Sequence, residues 1–371
     1  MMIRAKEAMK MKDVVAKGGL GSLLLTFIFA ISVFLYAPSV EAKNPGYGEP
    51  LDLPNATTAA DPAVIRVNGV YYLYPTTDSA SIRCWSSADF VNWNYEGEVW
   101  HSGGPGSWNE GLACAPDVLP YEGRYYLYYA AGSKIGHIGV AVSDSPTGPF
   151  IDVYDHPFIG GGYGGTLLYS IDPHVFLDDD GSLYMYCSCL SPFSSVRVSR
   201  MADPITLTGE WEVLLRPGIT NWEGILCEAP WMIKHDGTYY LMYSGNAATV
   251  PDYAIGYATS MNPMGPFIKY FGNPILDTDW DYDFWGPGHN SAVKDENGKL
   301  WMFYHTKTSP DTGWDRRVRI NQLAFDQYEN LYVVLNDDDD TGDDDAADDD
   351  ASDDDANHGG GVEANEIGCG C

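Results

Sequence analysis

The sequence predicts an all-β fold, a five-bladed β-propeller with four-stranded blades around a central channel. Three observations carry this expectation. One pattern occurs five times: a Pro, an apolar strand, a polar turn with Gly, then an aromatic strand. Its copies start at Asp61-Pro62, Ala115-Pro116, Asp172-Pro173, Ala229-Pro230 and Gly286-Pro287. The Pro residues stand 54, 57, 57 and 57 positions apart, a period too long for a hairpin and close to that of a four-stranded blade. Between the two ends of the chain no segment sustains a 3.6-residue apolar period, so helices are not expected.

Taken in order, residues 43–54 form a polar lead-in with Gly and Pro, expected to run along the domain surface. Blade one has its inner strand over 63–67, a turn at Asn68-Gly69, and an aromatic second strand over 71–74. A third strand over 81–86 leads into a turn plugged by Phe90 and Trp93. Blade two repeats the pattern from Ala115, with a second strand over 125–128 and a closing motif Asp144-Ser145-Pro146-Thr147-Gly148-Pro149-Phe150. Blade four carries a near copy of that motif, Met261-Asn262-Pro263-Met264-Gly265-Pro266-Phe267, which supports the repeat independently of the Pro spacing. Blade three turns over Asp178-Asp179-Asp180-Gly181, read as a solvated hairpin rather than a cation site because such turns favour Asp and Gly. In blade four residues 231–234 and 238–243 flank the turn His235-Asp236-Gly237. Blade five runs from Pro287 through residues 300–303 to Arg316, Arg317, Arg319 and Phe325.

The ends differ from this body. Arg4, Lys6, Lys10, Lys12 and Lys17 precede a largely apolar run over 23–36, and Val40-Glu41-Ala42 offers small residues for cleavage. Residues 1–42 are therefore expected to be a signal peptide, and the protein to be secreted or held at the cell surface. Residues 337–355 hold 13 Asp, too polar to offset the entropy of ordering, so 337–371 is expected to be a disordered Asp-rich linker ending in Gly368-Cys369-Gly370-Cys371. The body, residues 43–336, carries about −18 of the net −31, which argues against nucleic acid and for a neutral ligand. An exported chain with seven Cys permits disulfides; Cys114 and Cys227 each stand just before a blade start. The protein is expected to be a monomer.

In a propeller the first strand of every blade lines the channel, so residues at the five blade starts converge. Three starts hold an acid: Asp61, Asp172 and Glu228. Converging carboxylates raise one another's pKa, which keeps one protonated near neutral pH. A protonated acid facing an ionised carboxylate is the machinery of glycosidic-bond hydrolysis, with a third acid to orient the donor and tune its pKa.

Ala60-Asp61-Pro62, Ile171-Asp172-Pro173-His174, Glu228-Ala229-Pro230-Trp231 and Gly288-His289-Asn290-Ser291 resemble the motifs of glycoside hydrolase family 43, in order, over roughly residues 50–335. The resemblance implies inverting hydrolysis of arabinofuranosyl or xylosyl linkages in plant oligo- or polysaccharides. By it Asp61 is the general base, Asp172 the pKa-modulating acid, Glu228 the general acid, and Arg316 a contact to substrate hydroxyls. His289 matches a His near the channel centre that in some members binds calcium or another ion; a hydrogen-bonded structural histidine is the competing reading. No cofactor is otherwise required. Asp117, at another blade start, is a candidate substrate contact, and Trp85 and Trp222 are candidate walls of the sugar pocket, with packing between blades as the competing use. Two rival functions are a non-catalytic carbohydrate-binding propeller held at the surface by the acidic tail, and a five-bladed glycoside phosphorylase.

Overall fold

The computed structural model describes residues 46–335 except 78–79, 112, 133–135, 161–168, 191–193 and 312. The expected leader over 1–42 and the acidic tail over 337–371 lie outside the described residues. The described chain forms 21 strands in five antiparallel sheets and no helix.

Blade one comprises β1 (Ala60–Val67), β2 (Val70–Thr76), β3 (Ser81–Ser87) and β4 (Asn94–His101). Blade two comprises β5 (Ala113–Tyr121), β6 (Arg124–Ala131), β7 (His137–Ser143) and β8 (Ile151–Asp152). Blade three comprises β9 (Ser170–Leu177), β10 (Leu183–Cys189), β11 (Ser195–Asp203), β12 (Thr206–Leu207) and β13 (Glu212–Leu215). Blade four comprises β14 (Cys227–His235), β15 (Thr238–Gly245), β16 (Ala254–Ser260) and β17 (Ile268–Lys269), and blade five β18 (Trp285–Lys294), β19 (Leu300–Lys307), β20 (Arg316–Phe325) and β21 (Leu331–Val333). Strands follow one another outward in each sheet, giving the expected five-bladed propeller. Blade three departs from four strands, because β12 and β13 both pair with β11.

Strand character follows position. Every residue of β10 is buried, since a second strand is covered on both faces by neighbouring blades, and it reads as a near-continuous apolar run broken by Ser188 rather than as alternation. The outer β4 begins with alternating exposed and half-buried residues, as one face meets water. The apolar core is split into five clusters, each lying between two neighbouring blades. Aromatic rings fill these gaps and also fasten them. Tyr74, Tyr128 and Tyr186, at the same register of three second strands, donate to the carbonyls of Pro146, Pro204 and Pro263 in the next blade, at 2.6, 2.6 and 2.8 Å. Two of these Pro belong to the matching closing motifs, which are thus the receiving ends of the latches. Blade four uses Tyr240, which donates to Glu329 O at 2.8 Å. Blade five instead packs Phe303 against Phe90 and Trp93, the aromatic plug of blade one.

Those contacts close the ring together with the lead-in, which is less superficial than expected. Leu51 N and Ala59 N donate to Val318 O and Arg316 O of blade five at 2.8 and 3.0 Å, and Leu53 is buried in the cluster joining blades five and one. Among the described residues Cys84, Cys114, Cys187 and Cys227 are not joined in disulfides, so the expected bracing is not seen at these positions. Cys114 and Cys227 are not equivalent. Cys114 pairs with Ala130 as Glu228 pairs with Ser244, whereas Cys227 packs into the core between blades three and four.

Tyr128→Phe and Tyr186→Phe would each strand a carbonyl at a buried blade junction. Each is expected to lower the unfolding free energy by about 1–2 kcal/mol in urea titration with little change in m; unaltered midpoints would show that the latches do not hold the blades.

Candidate active site

The site begins with a backbone irregularity that all five inner strands share. Each has a β-bulge near its start, and the bulged residues Asp61, Ala115, Asp172, Ala229 and His289 take positive φ of 46, 47, 51, 55 and 48°. An L-residue in this region is strained by roughly 1–3 kcal/mol, and bulges of this kind re-aim side chains beside sites. Four of the five precede Pro, which tolerates a bulge because it has no N–H to place in the ladder. In blade five the equivalent residue is His289, three positions later than the Pro spacing implies. A second irregularity between Trp285 and Gly288 takes up the difference.

The bulged N–H groups are caught by the blade before. Thr76 Oγ1 accepts from Ala115 N at 2.7 Å, Ser188 Oγ from Ala229 N at 3.0 Å, Ser244 Oγ from His289 N at 2.8 Å, and His305 Nδ1 from Asp61 N at 3.1 Å. All four acceptors occupy one register of the second strand; the fifth position is Ala130, which has no acceptor. Each clamp therefore holds a channel residue to its neighbour blade.

Asp61, Asp172 and Glu228 are brought together and buried, yet their surroundings differ. Asp61 Oδ1 receives Arg316 Nη1 at 2.8 Å and lies 3.3 Å from His289 Nδ1 and 3.2 Å from His305 Nδ1. Burial would raise its pKa, but the Arg316 guanidinium, with His289 beside it, holds the carboxyl well below its usual range. Asp172 Oδ2 accepts from Ser188 Oγ at 2.8 Å and Ala229 N at 3.1 Å; burial raises its pKa. Among the described residues Glu228 has one donor, Tyr253 Oη at 2.9 Å to Oε1, and it is pushed up to about 8 by burial and then by the charge of Asp172. His305 is pushed down to about 3 by burial and the Arg316 charge, so it is neutral.

Sequence reasoning did not identify Tyr253, His305, Ser188 and Ser244 as site residues. Tyr253 reaches Glu228 across Gly288, where a Cβ would lie 1.9 Å from Tyr253 Cε1, and its ring stacks on His305 with centroids 5.7 Å apart. The acid and the base are thus joined through Tyr253 and His305. Aligning the second strands would have revealed Thr76, Ser188, Ser244 and His305 as one column; Tyr253 sits outside the strands and left no repeat signal.

The other candidates divide. Arg316 is buried against Asp61, whereas Arg317 turns outward to Asp315 and Arg319 to Thr306 and Gly48 O. Asp117 is not placed to meet substrate: its Oδ2 accepts from Val175 N at 2.8 Å and sits 3.2 Å from His174 Nδ1, a clasp between blades two and three. Trp85 is fully buried, donates to Pro54 O and packs on Tyr95, so it walls no sugar pocket. Trp222 lies over Gly245 and Gly256 and beside Tyr243, which closes one indole face to a ligand. His289 brings a single ring to the axis beside Asp61. Calcium takes six to eight oxygens, so water would supply most of a shell there. Among the described residues the one group of three His, Cys, Asp or Glu side chains whose ligand atoms all lie within 4.8 Å of one another, His235, Asp236 and Glu329, is at the turn after β14. In the turn over Asp178, that carboxylate accepts from Lys234 Nζ and Tyr239 Oη of blade four.

Comparison with known proteins agrees with this geometry. The family profile described as Glycosyl hydrolases family 43 matches residues 55–329. The β-D-galactofuranosidase xynD of Aspergillus niger is 30% identical over 298 residues, covering 74% of this chain and 82% of its own length. The β-xylosidase of Xylanibacter ruminicola is 29% identical, covering 74% and 96%. A thermostable family-43 glycoside hydrolase of known crystal structure superposes with a TM-score of 0.70 at 35% identity, covering 77% of this chain and 95% of its own. Further relatives are named arabinoxylan arabinofuranohydrolase and endo-α-(1→5)-L-arabinanase. A five-bladed ring with three buried acids at its axis, matched along its length by that family, identifies the chain as a member of glycoside hydrolase family 43 and as a glycosidase.

Proposed function

We propose that this enzyme hydrolyses xylosyl or arabinofuranosyl linkages of plant polysaccharides or their oligosaccharides with inversion. Glu228 is the general acid, Asp61 the general base and Asp172 the group that keeps Glu228 protonated. The reading rests above all on the opposite pKa shifts of Asp61 and Glu228 within one buried cluster. Glu228 gives its proton to the glycosidic oxygen as the bond to the anomeric carbon breaks. Water attacks that carbon from the opposite face and loses a proton to Asp61. Three neighbours of Asp61 gather at Oδ1, so Oδ2 is the oxygen assigned to the water. Arg316 holds the base, and its Nε, buried with no partner among the described residues, is assigned to a sugar hydroxyl. Every step uses this chain's own groups and water; an ion beside His289 would serve the channel's structure.

Phosphorolysis fits less well. Arg316 is committed to Asp61 and Lys307 Nζ to the carbonyls of Ala248 and Gly313, so neither is free to hold a phosphate. A binding-only propeller has no use for three mutually repelling buried acids. Export by the basic and apolar leader, surface attachment through the acidic tail and a monomeric state complete the proposal.

Glu228→Gln on an unactivated oligosaccharide, and Asp61→Asn on any substrate, are each expected to lower kcat/KM by at least about 100-fold while the fold is retained. Near-normal turnover in either would remove that residue from its role. Product anomers followed by NMR at early times should show inversion. The kcat/KM profile of the native enzyme should fall above about pH 8 as Glu228 ionises, with an acid limb below the usual carboxylate range set by Asp61. Stability should respond in the same interval. The folded pKa of Glu228 lies above its unfolded value of 4.5, so the contribution of its protonation is complete below that value and is lost as pH rises towards 8. Glu228→Gln is therefore expected to raise Tm at pH 8 by a few degrees and to change it little at pH 4; a lower Tm at pH 8 would contradict the assignment.

A further inference from the structure

One large aromatic side chain close to the acids is not spent on packing. Trp314 is 67% exposed, at the end of the segment joining β19 to β20, while Arg316 two residues on is 5% exposed. The Arg316 guanidinium carbon lies 5.4 Å from the Trp314 ring centroid, and the same guanidinium donates to Asp61. A single guanidinium thus separates a solvent-facing indole from the candidate catalytic base. Elsewhere, large aromatics near the axis have their rings covered, as Tyr253 by His305 and Gly288.

The backbone that carries this ring is held at three successive carbonyls. Gly313 O accepts from Lys307 Nζ at 3.0 Å, Trp314 O from Thr58 Oγ1 at 3.2 Å, and Asp315 O from Thr308 N at 3.1 Å. Lys307 is 2% exposed and also donates to Ala248 O at 2.7 Å, so a buried cation is used to fasten the loops of blades four and five to each other. Thr58 Oγ1 also accepts from Arg316 N at 3.2 Å, so the backbones that carry the indole and the guanidinium meet one side chain just before β1. An exposed ring on a pinned backbone loses little freedom on contact, which is what a preorganised binding platform requires.

From these contacts we infer that Trp314 is the stacking platform for a sugar ring next to the one released, an outer subsite that extends the acid–base pocket along an oligosaccharide. The inference rests on the glycosidase reading above and adds a subsite to it. The ring being cleaved occupies the buried acids; the next ring of the chain emerges at the rim, where it presents an apolar C–H face to the indole. Arg316 beneath the indole keeps the ring's other surroundings polar and fixes its height above the pocket.

The test compares native enzyme, Trp314→Ala and Trp314→Phe on two substrates of the same sugar. One is the xylosyl or arabinofuranosyl fluoride, which has no leaving-group ring, and the other is the trisaccharide. The expected result is that Trp314→Ala lowers the ratio of kcat/KM for trisaccharide over fluoride by about 10-fold or more, and that Trp314→Phe restores most of it. An unchanged ratio, including an equal loss on both substrates through disturbance of Arg316, overturns the subsite. Binding is measured separately by calorimetric titration of Glu228→Gln and of Glu228→Gln/Trp314→Ala with xylotriose and arabinotriose. Should the native enzyme cleave neither substrate, the hydrolytic reading fails. The titration then still decides the platform: weaker binding by the double variant upholds it, and equal or absent binding removes it.

Discussion

The structure depends on a strained residue at the start of each inner strand and on the blade that restrains it. A bulge puts Asp61, Ala115, Asp172, Ala229 and His289 in left-handed backbone conformations, which costs energy at five places around one axis. The bulged N–H leaves the regular ladder, and in four blades a side chain of the preceding blade accepts it. In those four the donor displaced by the bulge is satisfied by a neighbouring blade. These contacts hold Asp61 and His289 at the channel and place Glu228, one residue before Ala229, beside them, while Asp172 is held through its own carboxylate by Ser188 Oγ and Ala229 N.

Three carboxyls buried to a similar extent would repel one another and behave alike if burial were all that mattered. Their neighbours separate them. Asp61 has a guanidinium in direct contact, Asp172 accepts neutral hydroxyl and amide donors, and Glu228 has one phenol and the charge of Asp172. Burial strengthens each of these interactions, since little water is present to screen them. The result is one carboxyl kept ionised and another kept protonated, joined through Tyr253 and His305. This is a source of instability in the folded protein, and the large aromatic clusters between blades offset it.

Much of this was legible in the chain. The Pro spacing, the aromatic second strands and the closing motifs specified five blades, because each blade must present the same faces to two neighbours and so repeats the same residue pattern. The acids at Asp61, Asp172 and Glu228 were visible for the same reason: a repeat makes equivalent positions comparable without coordinates. Arg316 was named by the family resemblance alone, with Arg317 and Arg319 too near to separate in sequence; its register on β20 separates them.

The remainder needed the fold, and the reason is common to all of it. Whether Trp85 faces a sugar or a core, whether Asp117 meets substrate or His174, and whether Trp314 is covered or bare depend on partners far away in sequence. Tyr253 lies in no repeated element and becomes a site residue only because Gly288 has no side chain in its way. A residue's type and its place in the repeat determine which element it joins and towards which end of the channel it stands. Its protonation and exposure arise from the charges and rings that distant segments bring within a few ångströms, and those only the closed ring decides.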